Sequence, residues 1–332
     1  MAAESKKQCL RIGTHSGAFH CDEALGCWLL RNTDRFKDAQ VVRSRDPEVL
    51  KDLNAVIDVG GVYDSDAYRF DHHQKEFSEI FGHGFFTKLS SAGLVYKHFG
   101  REVISRLLGI PMDDPSLDTI YLAAYKQFME AIDAVDNGVN QWNSDAPPKY
   151  ICNTSLSSRV SFLNPQWNED SSDEVQYARF CQAMELTGSE FKDSIDYIYK
   201  GWLPARKFVK EALEQRFDVD SSGSIMRLNN YCPWKSHLYE LENEMELEKP
   251  ILFCLYEDGR EKKWRVQSVS VSPGSFQSRK LLPTPWRGLR SGELDKASGI
   301  KGCVFIHSSG FIGGNDTYEG ALEMARGGLT LE

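Results

Sequence analysis

Three short segments carry histidines and carboxylates at spacings suited to metal chemistry. Tyr68-Arg69-Phe70-Asp71-His72-His73 reads as a short strand ending on an acid and two adjacent histidines. Ala55-Val56-Ile57-Asp58-Val59 places one aspartate in an otherwise apolar run. An acid in a buried strand is costly unless it is paired or bound to metal. Upstream, His15-Ser16-Gly17-Ala18-Phe19-His20-Cys21-Asp22 adds two histidines and a further carboxylate. Farther along, a helix over residues 117–135, ending near Asn137-Gly138, delivers Asp133 and Asp136, an i, i+3 pair on one face. One of the two is expected as a ligand, with Asp133 favoured. Two-metal phosphoesterases need a bridging carboxylate, mixed His/Asp ligands and cations about 3.5–4 Å apart. His15, His20, Asp22, Asp58, His72, His73 and Asp133 would supply that set. Such mixed ligation points to two divalent ions, manganese before magnesium or zinc.

These residues need elements to position them. A strand at residues 10–13 leads into a helix opening near Asp22, with Leu25, Trp28, Leu29 and Leu30 on helical spacing. The strand Gln40-Val41-Val42-Arg43 and a short helix begun by Pro47 follow, then the two acid-bearing strands. This alternation predicts an α/β domain with a mostly parallel sheet and helices on both faces. Ligands bind such sheets at the carboxyl ends of the strands, where His15, Asp58 and His72 would lie. Ser90 caps a helix expected to stop at Gly100. Residues 147–173, rich in Asn, Ser and Pro, read as linker or loop, and a helical block covers about 175–218. From Ser224 the pattern turns β-rich and closes on a helix over 317–326. The expected organisation is a metal-binding domain at 8–150, a linker and helical connection at 151–218, and a smaller α+β domain at 219–332.

Composition limits the alternatives. The chain has 332 residues, 41% hydrophobic and 26% charged, which is globular rather than disordered. No apolar run is long enough to span a bilayer, so no membrane partner is expected. The polar start lacks a secretory signal, which points to cytosol or nucleus. Eight cysteines without a C-x-x-C pair support neither a disulfide framework nor a zinc knuckle. A net charge of −9 argues against the broad positive footprint of duplex-DNA proteins. A polyanion held in one cleft is compatible with it, because bound cations reverse the local sign.

Asp71-His72-His73, preceded by His15-x-x-x-x-His20-x-Asp22 and Asp58, resembles the DHH phosphoesterase superfamily, and more closely the eukaryotic MYG exonuclease family. Similar to that family are the blocks from Gly13 to Glu23, Asp71 to Gln74, Ala131 to Gly138, Trp286 to Leu289 and His307 to Gly314. The resemblance implies one metal on His15, His20 and Asp58, and another on Asp22, Asp58, His72 and Asp133, with Asp58 bridging. It implies that His73 faces the substrate phosphate or the nucleophilic water. Asp71 would support the ligands from behind, as would Asp136 if Asp133 is the ligand. The implied activity is 3′-to-5′ hydrolysis of single-stranded RNA, and the resemblance adds the mitochondrion as a location. The superfamily usually has an aspartate where His20 stands, one residue nearer the first histidine, so this site is softer and less anionic than most.

In the second domain, Arg279, Lys280, Arg287 and Arg290 cluster beside Trp286, and guanidinium groups bind phosphate bidentately. Arg287 is the best single choice. Gly313 and Gly314, in Gly310-Phe311-Ile312-Gly313-Gly314, would let backbone amides approach an anion. His307 ends a strand and reads equally as a substrate contact or a core histidine. His83, His98 and His237 read as structural or exposed, and Ser308 and Ser309 lack the partners of a nucleophilic serine. Two other readings stay open. One is a small-molecule phosphatase, such as a pyrophosphatase or nucleotide phosphatase, on the same site; the other is a non-catalytic metal-binding RNA or partner scaffold. Oligomeric state, including a homodimer, is not fixed by the sequence.

Overall fold

The structure is a computed structural model that describes residues 9–142, 147 and 149–331. It divides into two compact units after Ile198. The first begins with β1 (Arg11–Thr14), α1 (Cys21–Arg31), β2 (Gln40–Arg43), α2 (Pro47–Leu50), β3 (Ala55–Ile57), β4 (Tyr63–Asp64) and β5 (Arg69–Phe70). These strands form one sheet in the order β2-β1-β3-β5-β4. All pairings are parallel except that of the edge strand β4 with β5. Gly13 lies opposite Val56, and Ile57 opposite Phe70. The register therefore brings the carboxyl ends of β1, β3 and β5 level, and the next residues are His15, Asp58 and Asp71.

The unit continues with the hairpin β6 (Ile80–Gly82) and β7 (Phe85–Lys88), then α3 (Ser91–Leu108), α4 (Leu117–Ala124), α5 (Glu130–Asp136), α6 (Leu156–Ser161) and α7 (Asp173–Tyr197). α1 packs against α3 and α7, which explains why nearly all of it is buried, polar first turn included. Ser90 accepts from the Gly93 amide as expected of a cap. The helix nevertheless passes through Gly100 and ends at Gly109 in the left-handed region, φ 66°. Gly100 has a packing role instead: a Cβ there would lie 2.8 Å from the rings of Tyr96 and Tyr121. The helix expected over 117–135 is interrupted by a π-turn at Tyr125–Met129, a device frequent near functional sites. The stretch read as linker contains α6. A six-residue helix rich in serine shows too little apolar period to register.

The second unit contains α8 (Leu203–Glu214), α9 (Arg216–Val219), β8 (Ile225–Arg227), α10 (Lys235–Glu244), β9 (Phe253–Glu257), β10 (Trp264–Ser268), α11 (Ser291–Ser298), β11 (Cys303–Ile306), β12 (Ile312–Asn315) and α12 (Tyr318–Thr330). The residues expected to connect two domains are thus shared between the units, α6 and α7 in the first, α8 and α9 in the second. The sheet order is β11-β12-β10-β9-β8, antiparallel except for β8 with β9. Alternation along β9 fills two cores: Phe253 and Leu255 pack with Val266 and Met324, whereas Cys254 and Tyr256 pack with Val209, Leu213 and Leu238. The chain is thus α/β, with an α+β second unit. Among the described residues, no helix is long and apolar enough to cross a membrane.

Candidate metal centre

The level strand ends place the chemistry. His15 follows β1, Asp58 follows β3, and Asp71, His72 and His73 follow β5, while His20 caps α1 and Asp22 and Glu23 fill its first turn. Asp58 takes φ of 61°, the left-handed region in which aspartate is tolerated better than most residues. That turn sets its carboxylate between two imidazoles. His15 Nε2 lies 3.3 Å from Asp58 Oδ2 and 3.0 Å from Glu23 Oε1. His72 Nε2 lies 3.3 Å from Asp58 Oδ1 and 3.1 Å from Asp136 Oδ2. Donor atoms gather within 4.8 Å of one another in three overlapping sets: His15, His20, Glu23 and Asp58; Asp58, His72 and His73; His20, Asp22 and Asp136.

Several donors lack a hydrogen bond. Asp22 Oδ1 and His72 Nδ1 are buried without one among the described residues, and Asp58 Oδ1 and His72 Nε2 face each other at 3.3 Å without hydrogen-bond geometry. Burying polar atoms in this way costs free energy unless something else is bound. A divalent cation fits: imidazole nitrogens and carboxylate oxygens are its ordinary ligands, and the site holds an excess of acids over bases. Protons reveal the same excess. Burial lowers the pKa of His15, but hydrogen bonds and charge from Asp58 and Glu23 outweigh it and raise it to about 9. Asp136 and Asp58 raise His72 to about 9 against the same burial. Burial would raise Asp58, yet His15 and His72 pull it down to about 2. Burial, then the charges of Asp58 and Asp136, push Asp22 well above the carboxylate range.

Neighbouring groups hold these side chains. Arg43 donates to the carbonyls of His15 and Gly17, and Arg45 to that of Ser16, clasping the turn that carries His15. Asp22 Oδ2 accepts from the Ser91 hydroxyl at 2.5 Å. Asp71 accepts from the Gly61 amide at 2.6 Å, the His73 amide at 3.1 Å and His73 Nδ1 at 2.8 Å. His73 itself is 63% exposed, and with His20 it is an open member of the cluster.

Asp133 and Asp136 exchange their expected places. Asp133 lies outside all three donor sets; its Oδ1 accepts from the amide and hydroxyl of Ser90, and its Oδ2 from Tyr125. Burial outweighs these bonds and raises its pKa to about 7. A Cβ on Gly93 would come within 2.2 Å of that carboxylate, so glycine makes room for it. Asp133 fastens α5 to the start of α3, and Asp136, one turn on, reaches the cluster. Asp133→Ala is therefore expected to cost about 3 kcal/mol, since three buried donors lose their acceptor, with metal content unchanged. Asp136→Asn is expected to stay folded and lose metal. Calorimetry with elemental analysis of both variants checks this; a folded Asp133 variant stripped of metal would reverse the assignment.

In the second unit, Arg279 donates to Glu242 at 2.7 and 2.8 Å and to the Ile251 carbonyl. It is a largely buried structural pair rather than a free phosphate ligand. Arg279→Ala should cost about 3 kcal/mol by stranding Glu242, read as a lowered midpoint in a denaturant titration; an unchanged midpoint would contradict this. Gly313 and Gly314 lie in the interior strand β12, next to the edge, their backbones paired with β10 and β11. Packing explains the glycines: a Cβ at Gly313 would lie 2.9 Å from Ile306 and Met324, and one at Gly314 3.0 Å from Arg265. His307 is exposed, its Nδ1 2.7 Å from Ser309 Oγ, and Arg287 uses Nε on the Leu282 carbonyl. His237 is a core histidine, with Nε2 2.7 Å from the Trp202 carbonyl.

The MYG1 exonuclease family model, described as an uncharacterised protein family (UPF0160), matches residues 11–329. The chain belongs to this family. It is 52% identical to the MYG1 exonuclease of Mus musculus over 325 residues, covering 96% of this chain and 84% of the mouse protein. It is 50% identical to the MYG1 exonuclease of Homo sapiens, over 96% and 85% of the two chains, and 47% identical to the MYG1 protein of Dictyostelium discoideum, over 95% of each. Membership of the MYG1 exonuclease family supports a nuclease-type hydrolase.

Two features of this family member escape the sequence reading. Glu23, fully buried, offers Oε1 to His15 while both its oxygens accept from the His20 amide at 2.8 and 2.9 Å. Its position three residues after the cap is that of a capping-box acid, and this ordinary role hides the other. The second feature is α6, whose residues line a cavity with His20, Asp22 and Asp136.

Proposed function

We propose that the protein is a metal-dependent 3′-to-5′ exoribonuclease acting on single-stranded RNA, with two divalent ions, manganese foremost. The observation that carries this reading is the set of imidazole and carboxylate donors converging on buried Asp58 in a chain of the MYG1 exonuclease family. His15, His20 and Asp58 would hold one ion, with Glu23 beside them, and Asp22, Asp58, His72 and Asp136 the other. Bound there, the ions would supply Lewis-acid polarisation of the phosphoryl group and neutralise its growing charge. Asp58, shared by both sets, fixes their common edge. His73 Nδ1–H donates to Asp71, which leaves Nε2 as the acceptor nitrogen facing substrate, where it can take a proton from the attacking water. In the second unit, exposed His307 and the uncommitted Nη groups of Arg287 are the contacts offered to the RNA backbone.

The test is product analysis on RNA and DNA oligomers labelled at either end, with manganese, magnesium or zinc. Mononucleotides released from the 3′ end of RNA in manganese, with DNA spared, are expected. Release from the 5′ end, or hydrolysis confined to pyrophosphate and free nucleotides, would overturn this reading.

A further inference from the structure

The cavity beside the cluster has a volume of about 450 Å³, within the range of small-molecule sites. Val135, Asn153, Ser157, Ser158, Ser161 and Phe162 line it together with His20, Asp22 and Asp136. Ser157 and Ser161 are one turn apart on α6 and share a face with Ser158 beside them. The side chains of Asn153 and Ser161 make no hydrogen bond among the described residues. Phe162, at the end of α6, is 67% exposed although it lines the cavity.

This wall is held firmly. Asn164 accepts from the Phe19 amide and donates to the Phe19 carbonyl, both at 2.8 Å, tying the end of α6 to the residue before His20. Arg159 pairs with Glu190 and ties α6 to α7. Val160 buries its side chain in the core, whereas Phe162, two residues on, leaves its ring in water. The ring and hydroxyls face the same space as the metal-ligating acids.

We propose that this cavity is a nucleoside subsite, in which Phe162 stacks on the terminal base and the Ser157–Ser161 face with Asn153 grips the ribose and its 2′-hydroxyl. The proposal rests on the nuclease reading, which places the scissile phosphate at the cluster. An aromatic face suits any base, whereas hydroxyl and amide groups can tell ribose from deoxyribose.

The test needs no turnover. AMP and dAMP are titrated into the manganese-loaded full chain by calorimetry, and adenosine and deoxyadenosine into the metal-free chain by saturation-transfer NMR. The ribose forms are expected to bind more tightly in both. Phe162→Ala should weaken AMP about 5- to 150-fold, the range of a lost base stack, and Phe162→Trp should restore it. Ser157→Ala with Ser161→Ala should bring the AMP and dAMP affinities together. Equal binding of AMP and dAMP by the parent chain, or indifference to Phe162→Ala, overturns the subsite even if RNA is cut. The expected pattern with no RNA cleavage in any metal removes the nuclease reading and keeps the subsite.

Discussion

On the exoribonuclease proposal, Asp58→Asn is expected to reduce RNA hydrolysis by on the order of a thousandfold or more, the scale of losing a preorganised electrostatic group. Asparagine keeps the size of the side chain and tolerates φ of 61°, so β3 and its turn should persist. What it loses is charge and an acceptor oxygen. Asp58 faces His15 with one oxygen and His72 with the other, so the substitution affects both halves of the cluster. Metal content should fall from two ions per chain to one or none, read by elemental analysis beside the rate. Wild-type rates with two ions bound would falsify the bridging role. The same experiment on Asp133→Asn separates a ligand from a brace, because among the described residues the Asp133 carboxylate accepts only from Ser90 and Tyr125.

The contrast between these aspartates shows how far sequence reaches. His15, Asp58 and His72 are legible because each ends a short strand in a βαβ alternation, and parallel register alone brings such ends together. Asp133 and Asp136 share a helix face at i, i+3 and differ by one turn of depth. Tertiary packing decides which meets the cluster, through Gly93 and a π-turn that no periodicity announces. Glu23 is hidden because one carboxylate both caps a helix and approaches a histidine. Gly313 and Gly314 mislead for a related reason: glycine marks close backbone approach, and the sequence does not tell whether a ligand or a neighbouring strand comes close. Arg279 looks like a phosphate ligand until Glu242, 37 residues away, is seen beside it.

Metal affinity should depend steeply on pH, and stability of the metal-free protein should run the opposite way. His15 and His72 both have folded pKa values raised from 6.5 to about 9 by the carboxylates around them. A group raised on folding contributes stability that is fully present below its unfolded pKa. That stability is lost as pH climbs through the folded value. The window is therefore pH 6.5 to 9, and each shift corresponds to about 3 kcal/mol, the two not adding fully because they share Asp58. Cations must displace these protons, since imidazole ligates only when neutral. Asp22, pushed well above the carboxylate range, releases a proton in the same direction. At least two protons should leave on metal binding at pH 7, so the apparent Kd for manganese should tighten up to about a hundredfold per pH unit and level off above 9. Calorimetry in two buffers of different ionisation enthalpy counts the protons. Thermal melts with and without manganese should show a metal-induced rise that grows from pH 6.5 to 9. A Kd constant across that window would mean that the imidazoles are already neutral without metal. The three carboxylates Glu23, Asp58 and Asp136 would then need another source of positive charge, and protons on His15 and His72 are the ones the geometry supplies.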